Sequence, residues 1–260
     1  MRGSDRCGPK LRAARCRNVT EMIARHIARI RARHPLSAEE EQAIRATIGP
    51  ALDVPAHRTF IEPGVRLEQS ILILDGIAAR YKDLRDGQRQ VTALHIPGDF
   101  ADLHSFTLKR LDHALMAMTP CRIAPVPHAR IAELVERFPR LGRLYWFSTN
   151  LDASMHREWV LSMGVRDALA RIAHLFCELQ VRLNLIGLGD GDGYALDLSQ
   201  TDLAECRGLT SVHVNRSLRR LREMQVMTFR NGRVEITDPA ALRAIAEFDP
   251  DYLYLDPDPL

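Results

Sequence analysis

The sequence predicts an α+β fold: an N-terminal antiparallel β-roll of the double-sheet, jelly-roll type, a long dimerisation helix, and a C-terminal winged helix-turn-helix. Three observations predict it. Between Asp53 and Pro127 a turn glycine recurs every eleven or twelve residues, in Glu62-Pro63-Gly64, Asp75-Gly76, Asp86-Gly87 and Pro97-Gly98-Asp99, with short alternating apolar runs between. The longest helical pattern, about residues 140–163, follows at once. Residues 198–221 then carry two helix starts, and Asn231-Gly232 behind them is the strongest short hairpin signal.

Residues 1–36 read as a basic N-terminal arm, partly disordered, with ten Arg/Lys against Asp5 and Glu21 over residues 1–34. The disorder is expected in residues 1–17, whose arginine-rich, acid-poor composition is also similar to an organellar presequence or to an over-long start. Ile23, Ile27 and Ile30 then share one helical face, and Pro35 ends that helix. Residues 37–138 form the roll. Ser37 with Glu40 opens a helix through Ala43, Ile44 and Ile48, stopped by Gly49-Pro50. Strand candidates follow at 70–74, 77–81, 90–96, 114–118 and 121–126, then a helix at 129–137 that stops at Pro139.

Residues 139–164 are read as the dimerisation helix. Its stripe of Leu141, Leu144, Phe147, Leu151, Met155 and Trp159 offers more apolar surface than one small domain needs, although the chain's own sheet is the other surface it fits. Residues 165–237 make the winged helix-turn-helix, opened by an amphipathic helix at 167–185. The loop from Gly187 to Gly193 lacks the twelfth-position glutamate of a calcium loop and reads as a turn. Residues 238–260, with six acids against Arg243, read as an acidic tail.

The 260 residues, 46% of them hydrophobic, suffice for two small domains. No apolar run approaches a membrane span and no secretory leader is visible, so a cytoplasmic protein with no membrane partner is expected. Net charge is only +3, and because 33 of the 36 basic residues are arginine, part of that enrichment reflects genome composition. Five cysteines without a Cys-x-x-Cys pair point to reduced thiols. There is no nucleophile–base constellation, no short-spaced set of metal ligands and no phosphate-cradling loop, which argues against an enzyme, a metal site and a cofactor.

Chemistry concentrates in residues 198–236. Ser199 caps a short helix with Asp202 completing the box, Leu203 faces inward, Gly208 breaks it, and Thr210 caps a second helix bearing Val214, Leu218 and Leu221 on its apolar side. Ala204, Gly208 and Val214 supply the small, turn-forming and branched residues that a close helix crossing needs, whereas Ser217 stands where such motifs more often have an apolar residue. Ser211, Val212, His213, Asn215, Arg216, Arg219 and Arg220 are left for a groove. From Arg207 to Arg222 there are five arginines and no acid, so the segment meets phosphates without self-repulsion. Arg216 is placed to offer its guanidinium fork to a guanine edge. The wing, 226–236, carries Arg230 and Arg233 near its tip.

This order of parts resembles the Crp/Fnr family of bacterial transcription regulators over about residues 37–237, most specifically in Gly98-Asp99-Phe100 and in the stretch from Gly208 to Arg216. The resemblance implies a cyclic-nucleotide-binding-like sensor roll and a homodimer on a two-fold-symmetric operator in double-stranded DNA. It implies DNA contacts from Thr210, Ser211, Val212 and Arg216, and RNA polymerase as a partner if the protein activates. Members that bind cyclic AMP hold it with a Gly-Glu-Leu segment and an Arg-Ser pair. Here Ala101-Asp102-Leu103 and Asp112-His113 stand in those places, a degenerate effector pocket in which Asp112 would repel a phosphodiester. Cyclic AMP is therefore not expected to bind, and the effector is left open. Oxygen-sensing members carry N-terminal cysteines and one in the roll, where Cys121 lies; an iron–sulfur cluster needs about four thiolates, and the N-terminus offers only Cys7 and Cys16. Cys121 and Cys206 read as buried structural residues, and a haem-ligand role for His57, His95, His104 or His113 is weaker still. The competing reading is a small-molecule-binding module acting through protein contacts, against which the acid-free arginine run argues.

Overall fold

The computed structural model describes residues 19–256; the expected disorder of residues 1–17, with Cys7 and Cys16, falls outside them. The chain opens with α1 (Val19–Arg31) and α2 (Ala38–Thr47), the latter held by the reciprocal Ser37–Glu40 capping box. The strands β1 (Leu52–Val54), β2 (Thr59–Ile61), β3 (Gln69–Asp75), β4 (Ala78–Asp83), β5 (Arg89–His95), β6 (Ala114–Ala117) and β7 (Cys121–Pro127) follow, with the short α3 (Ser105–Leu108) between β5 and β6. They form two antiparallel sheets, β1-β7-β3 and β2-β6-β4-β5. Ile71, Ile73, Ala78, Leu115, Ala117 and Ile123 fill the space between them. This is the double-sheet roll, extended by the three-residue β1 and β2, which are too short to show a period in the sequence.

Beyond the roll lie α4 (His128–Arg137), α5 (Pro139–Val165) and α6 (Ala168–Leu185). The reader then comprises β8 (Gly193–Ala195), α7 (Gln200–Arg207), α8 (Ser211–Glu223), β9 (Met227–Arg230) and β10 (Arg233–Ile236), with β8-β10-β9 as its sheet. The chain finishes with α9 (Pro239–Ala246) and a 3-10 turn (Pro250–Leu253).

Three boundaries drawn from the sequence shift. Residues 19–34 are not an arm: α1 buries Met22, Ile23, Ile27 and Ile30 against Leu72, Leu74 and the start of α5, each worth roughly 1.5–3 kcal/mol. The backbone of α1 comes so near Gly98 that a Cβ there would lie 3.1 Å from the Arg25 carbonyl, and Gly98 has φ +93, so two constraints demand glycine. Second, the α5 stripe is consumed at home, because Leu141, Leu144, Leu151, Met155 and Trp159 are buried within one chain. The face left over carries Trp146, Val160, Leu161 and Val165, all exposed. Third, residues 238–256 are not a tail. Leu242, Ala246, Phe248 and Leu253 are buried in the core of the reader, and Arg33 of the first helical segment donates from Nε to the Tyr254 carbonyl at 2.7 Å and from Nη2 to that of Leu253 at 2.9 Å. The acids of this segment are outward-facing residues on a folded closing element.

One apolar core runs without a break from Ile77, Val91 and Leu94 of the roll through Trp159 and Phe176 to Val214 and Val234 of the reader. Roll and reader are therefore packed together, with Gln90 of β5 donating to the Glu205 carbonyl of α7 at 2.9 Å.

Candidate nucleic-acid interface

Local chemistry shapes the reader. The Ser199 hydroxyl accepts from the Asp202 amide at 3.1 Å, while the Asp202 carboxylate accepts from the Ser199 amide at 2.7 Å, so two otherwise orphaned donors at the start of α7 are satisfied. Gly208 ends α7 in the left-handed region (φ 59, ψ 42). Thr210 accepts from the His213 amide at 3.3 Å and starts α8. Leu203, Val214 and Leu221 are fully buried, and Ser217 is buried as well. Asn231 and Gly232 both take positive φ (52 and 70) between β9 and β10, the combination a tight primed turn requires.

The sequence-derived DNA residues separate into groups. Ser211, Val212, His213, Asn215, Arg216, Arg219 and Arg220 are all exposed on α8, and Thr210 is exposed at its cap. At helical spacing Val212, Arg216 and Arg219 lie opposite the buried Val214–Ser217–Leu221 side. Asn215 donates to the Gln200 side chain at 3.3 Å, and the His213 ring sits 3.2 Å from the Thr210 hydroxyl. Among the described residues, Arg216, Arg220, Arg222 and Arg230 form no ion pair, whereas Arg219 has Glu223 at 3.5 Å. Arg233 is different: Asp190 holds it in a close ion pair and Glu235 stands 3.5 Å away, so its charge is already compensated.

Arg207, counted in the acid-free run, does not face outward at all. It is fully buried, its guanidinium stacked 4.1 Å above the Trp159 ring, and none of its guanidinium nitrogens finds a hydrogen-bond partner among the described residues. Burial draws its pKa down, opposed by the Glu178 carboxylate. The arginines available for phosphates are thus one fewer than the run suggests. Sequence periodicity offered a clue, since Arg207 falls four residues after Leu203 on the inward side of α7.

The degenerate effector positions do not converge. Ala101 and Asp102 are fully buried; Asp102 accepts from the Ile71 amide at 2.6 Å, and burial pushes its carboxyl up to about 7. Leu103 is buried among α1 and β3 residues. Asp112 lies on the surface, paired with Lys82 at 2.6 Å, and His113 turns inward to His104 at 3.2 Å. Arg80 of β4 reaches across to α5, donating to the Ala101 carbonyl at 3.2 Å and to Asp152 at 2.9 Å. Sequence reasoning missed Arg80 because nothing local marks it. Cys121, Cys177 and Cys206 are buried, and burial pushes each thiol up to about 12, well away from the thiolate form. Among the described residues no group of His, Cys, Asp and Glu could hold a metal ion, and no helix is long and apolar enough to cross a membrane.

Known proteins agree with this layout. The family model described as a Crp-like helix-turn-helix domain matches residues 170–245. The nitrogen fixation regulation protein FixK of Bradyrhizobium diazoefficiens is 30% identical over 179 residues, covering 67% of this chain and 72% of that one. The transcriptional activator protein FnrL of Cereibacter sphaeroides is 26% identical over 200 residues, covering 75% and 80%. Among solved structures, FixK2 from Bradyrhizobium japonicum shares the fold with a TM-score of 0.69 at 21% identity, over 75% of this chain and 96% of that one. The chain is a DNA-binding transcription regulator rather than an enzyme, and it belongs to the Crp/Fnr family.

Proposed function

We propose that this regulator reads its operator with α8 and the wing, as a homodimer paired through the exposed face of α5. The observation that carries the first part is the outward face of α8, where Val212, Arg216 and Arg219 stand free of the core and Arg216, Arg220 and Arg222 lack acidic partners among the described residues. In this reading Ser211, Val212, His213, Asn215 and Arg216 specify bases, and Thr210, Arg219, Arg220 and Arg230 position the backbone. Arg233 contributes only after giving up Asp190. Arg216→Ala should cost about 1–3 kcal/mol on the specific site and relax discrimination at one base pair. Binding selection on random duplexes with parent and variant measures both, and an unchanged base preference would refute the assignment.

The pairing part rests on Trp146, Val160, Leu161 and Val165, large apolar side chains exposed along one helix. Val160→Glu with Leu161→Glu should convert the dimer to monomer in sedimentation, with far-UV dichroism unchanged because neither side chain is in the core. A two-fold operator and, for an activator, contact with RNA polymerase belong to the same reading. Cyclic AMP is not the signal in it: the positions that would hold it are scattered, with Asp112 facing solvent beside Lys82, Asp102 buried against the Ile71 amide and His113 turned to His104.

A further inference from the structure

A cavity of about 40 Å³ lies between α1, the roll and α5. With one water needing about 10–15 Å³ on such a measure, it takes about three waters or a compact molecule of similar bulk. Its wall is cationic. Arg29, Arg33 and Arg80 line it against Asp99 and Asp152, and Asp99 is shared, pairing with both Arg29 and Arg182. Arg33 bonds only to carbonyl oxygens among the described residues. Burial, together with the neighbouring Arg182 and Arg33 charges, lowers Arg29 to about 9, as expected where cations outnumber their counterions.

The wall also holds unmet hydrogen-bonding groups of both kinds. His26 keeps Nδ1 2.9 Å from the Gly98 carbonyl; because a carbonyl only accepts, the proton is on Nδ1. Burial lowers that ring to about 4, so it is neutral near pH 7 and its buried Nε2, which has no partner among the described residues, is a bare lone pair. Arg80 Nε is a buried donor with no partner among the described residues. An occupant that satisfies the wall must present an anionic acceptor to the guanidiniums and an O–H to His26.

We propose that this cavity is the signal site of the regulator and that the signal is a compact hydroxyl-bearing anion, a short 2-hydroxycarboxylate or hydrogenphosphate, with its charged oxygens toward Arg29 and Arg80 Nε and its hydroxyl donating to His26 Nε2. The output is adjacent. Arg182 belongs to α6, the helix that opens the reader, and reaches Asp99 at 2.7 Å and the Leu94 carbonyl at 2.9 Å. An anion that takes Arg29 away from Asp99 strengthens the hold of Asp99 on Arg182, and so changes how firmly the reader is tied to the roll.

This inference rests on the regulator reading, and its test separates the two because binding is measured without DNA. The full-length protein in chloride buffer is titrated by calorimetry with glycolate, inorganic phosphate and acetate. Glycolate or phosphate should bind at least about tenfold more tightly than acetate, which lacks the hydroxyl, and the tighter of the two names the source. Arg29→Gln leaves Asp99 paired with Arg182 and should weaken that binding by about tenfold or more. Acetate binding equally well, no heat from any anion up to about 10 mM, or undiminished binding by Arg29→Gln would overturn the proposal. Comparing the anions in the unaltered protein keeps it testable whatever the variant does to folding.

Discussion

Raising monovalent salt from about 50 to about 200 mM should lower affinity for the specific site by about 10³–10⁵-fold, a log–log slope set by the phosphates neutralised. Besides Arg216, which is assigned to a base, Arg220, Arg222 and Arg230 are exposed and free of ion pairs among the described residues, three phosphate contacts per protomer. Doubled by a second protomer, they fall within the range of about six to ten contacts for which that loss is characteristic. The variants give the sharper test. Arg220→Ala should reduce the slope by about one per protomer while leaving base preference alone, because a phosphate contact carries no sequence information. Arg207→Met should leave the slope unchanged, since that guanidinium lies over Trp159 inside the protein. A slope that drops with Arg207→Met and not with Arg220→Ala would mean the reader presents a different face. Gel shift or fluorescence anisotropy across a salt series measures it.

What the sequence disclosed, and what it hid, follows from the range of the interactions. The caps at Ser199 and Thr210, the left-handed Gly208 and the Asn231-Gly232 turn are decided by residues within a few positions of each other, and each is legible in one dimension. The strand candidates at 70–74, 77–81 and 90–96 were legible for the same reason, because turn glycines bracket them. Arg207 was misread because its burial depends on Trp159, 48 positions earlier, across a helix junction. The α5 stripe was correctly seen as apolar, but periodicity does not say which of two surfaces covers it. Likewise an acidic composition suggested a tail at residues 238–260, while Leu242, Ala246, Phe248 and Leu253 sit at the spacing that docks the segment. The pocket positions illustrate the same limit. Ala101, Asp102 and Asp112 were recognisable as departures, yet Arg80, which ties the Ala101 carbonyl to Asp152 of α5, comes from a strand with no motif at all.

Glu178→Ala should cost about 3–5 kcal/mol of stability, a fall in Tm on the order of 10 °C for a domain pair of this size. Glu178 is fully buried on α6. It accepts from Arg182 at 2.8 Å, the Trp159 indole at 3.0 Å and the Tyr252 hydroxyl at 3.1 Å. One carboxylate thus joins the reader, the long helix and the C-terminal turn, and Arg182 carries the link on to Asp99 of the roll at 2.7 Å. Removing it leaves Arg182 and Arg207 with less compensation, and the buried Trp159 indole and the half-buried Tyr252 hydroxyl without this acceptor, which is why the loss should exceed that of an ordinary core truncation. Glu178→Gln, which keeps an acceptor for Trp159 and Tyr252 but drops the charge, should recover part of the loss. The pH dependence has a definite sign. Burial pushes this carboxyl up, but Arg182, Arg207 and His174 outweigh it and hold the pKa below its ordinary 4.5. A depressed folded value means the unfolded chain binds the proton more readily, so the contribution is complete above that value and is lost as pH falls through the folded one. The parent should therefore lose stability more steeply below pH 4.5 than Glu178→Ala does, and urea melts across that window show it; parallel curves for the two proteins would mean that Glu178 is not the group joining the two halves.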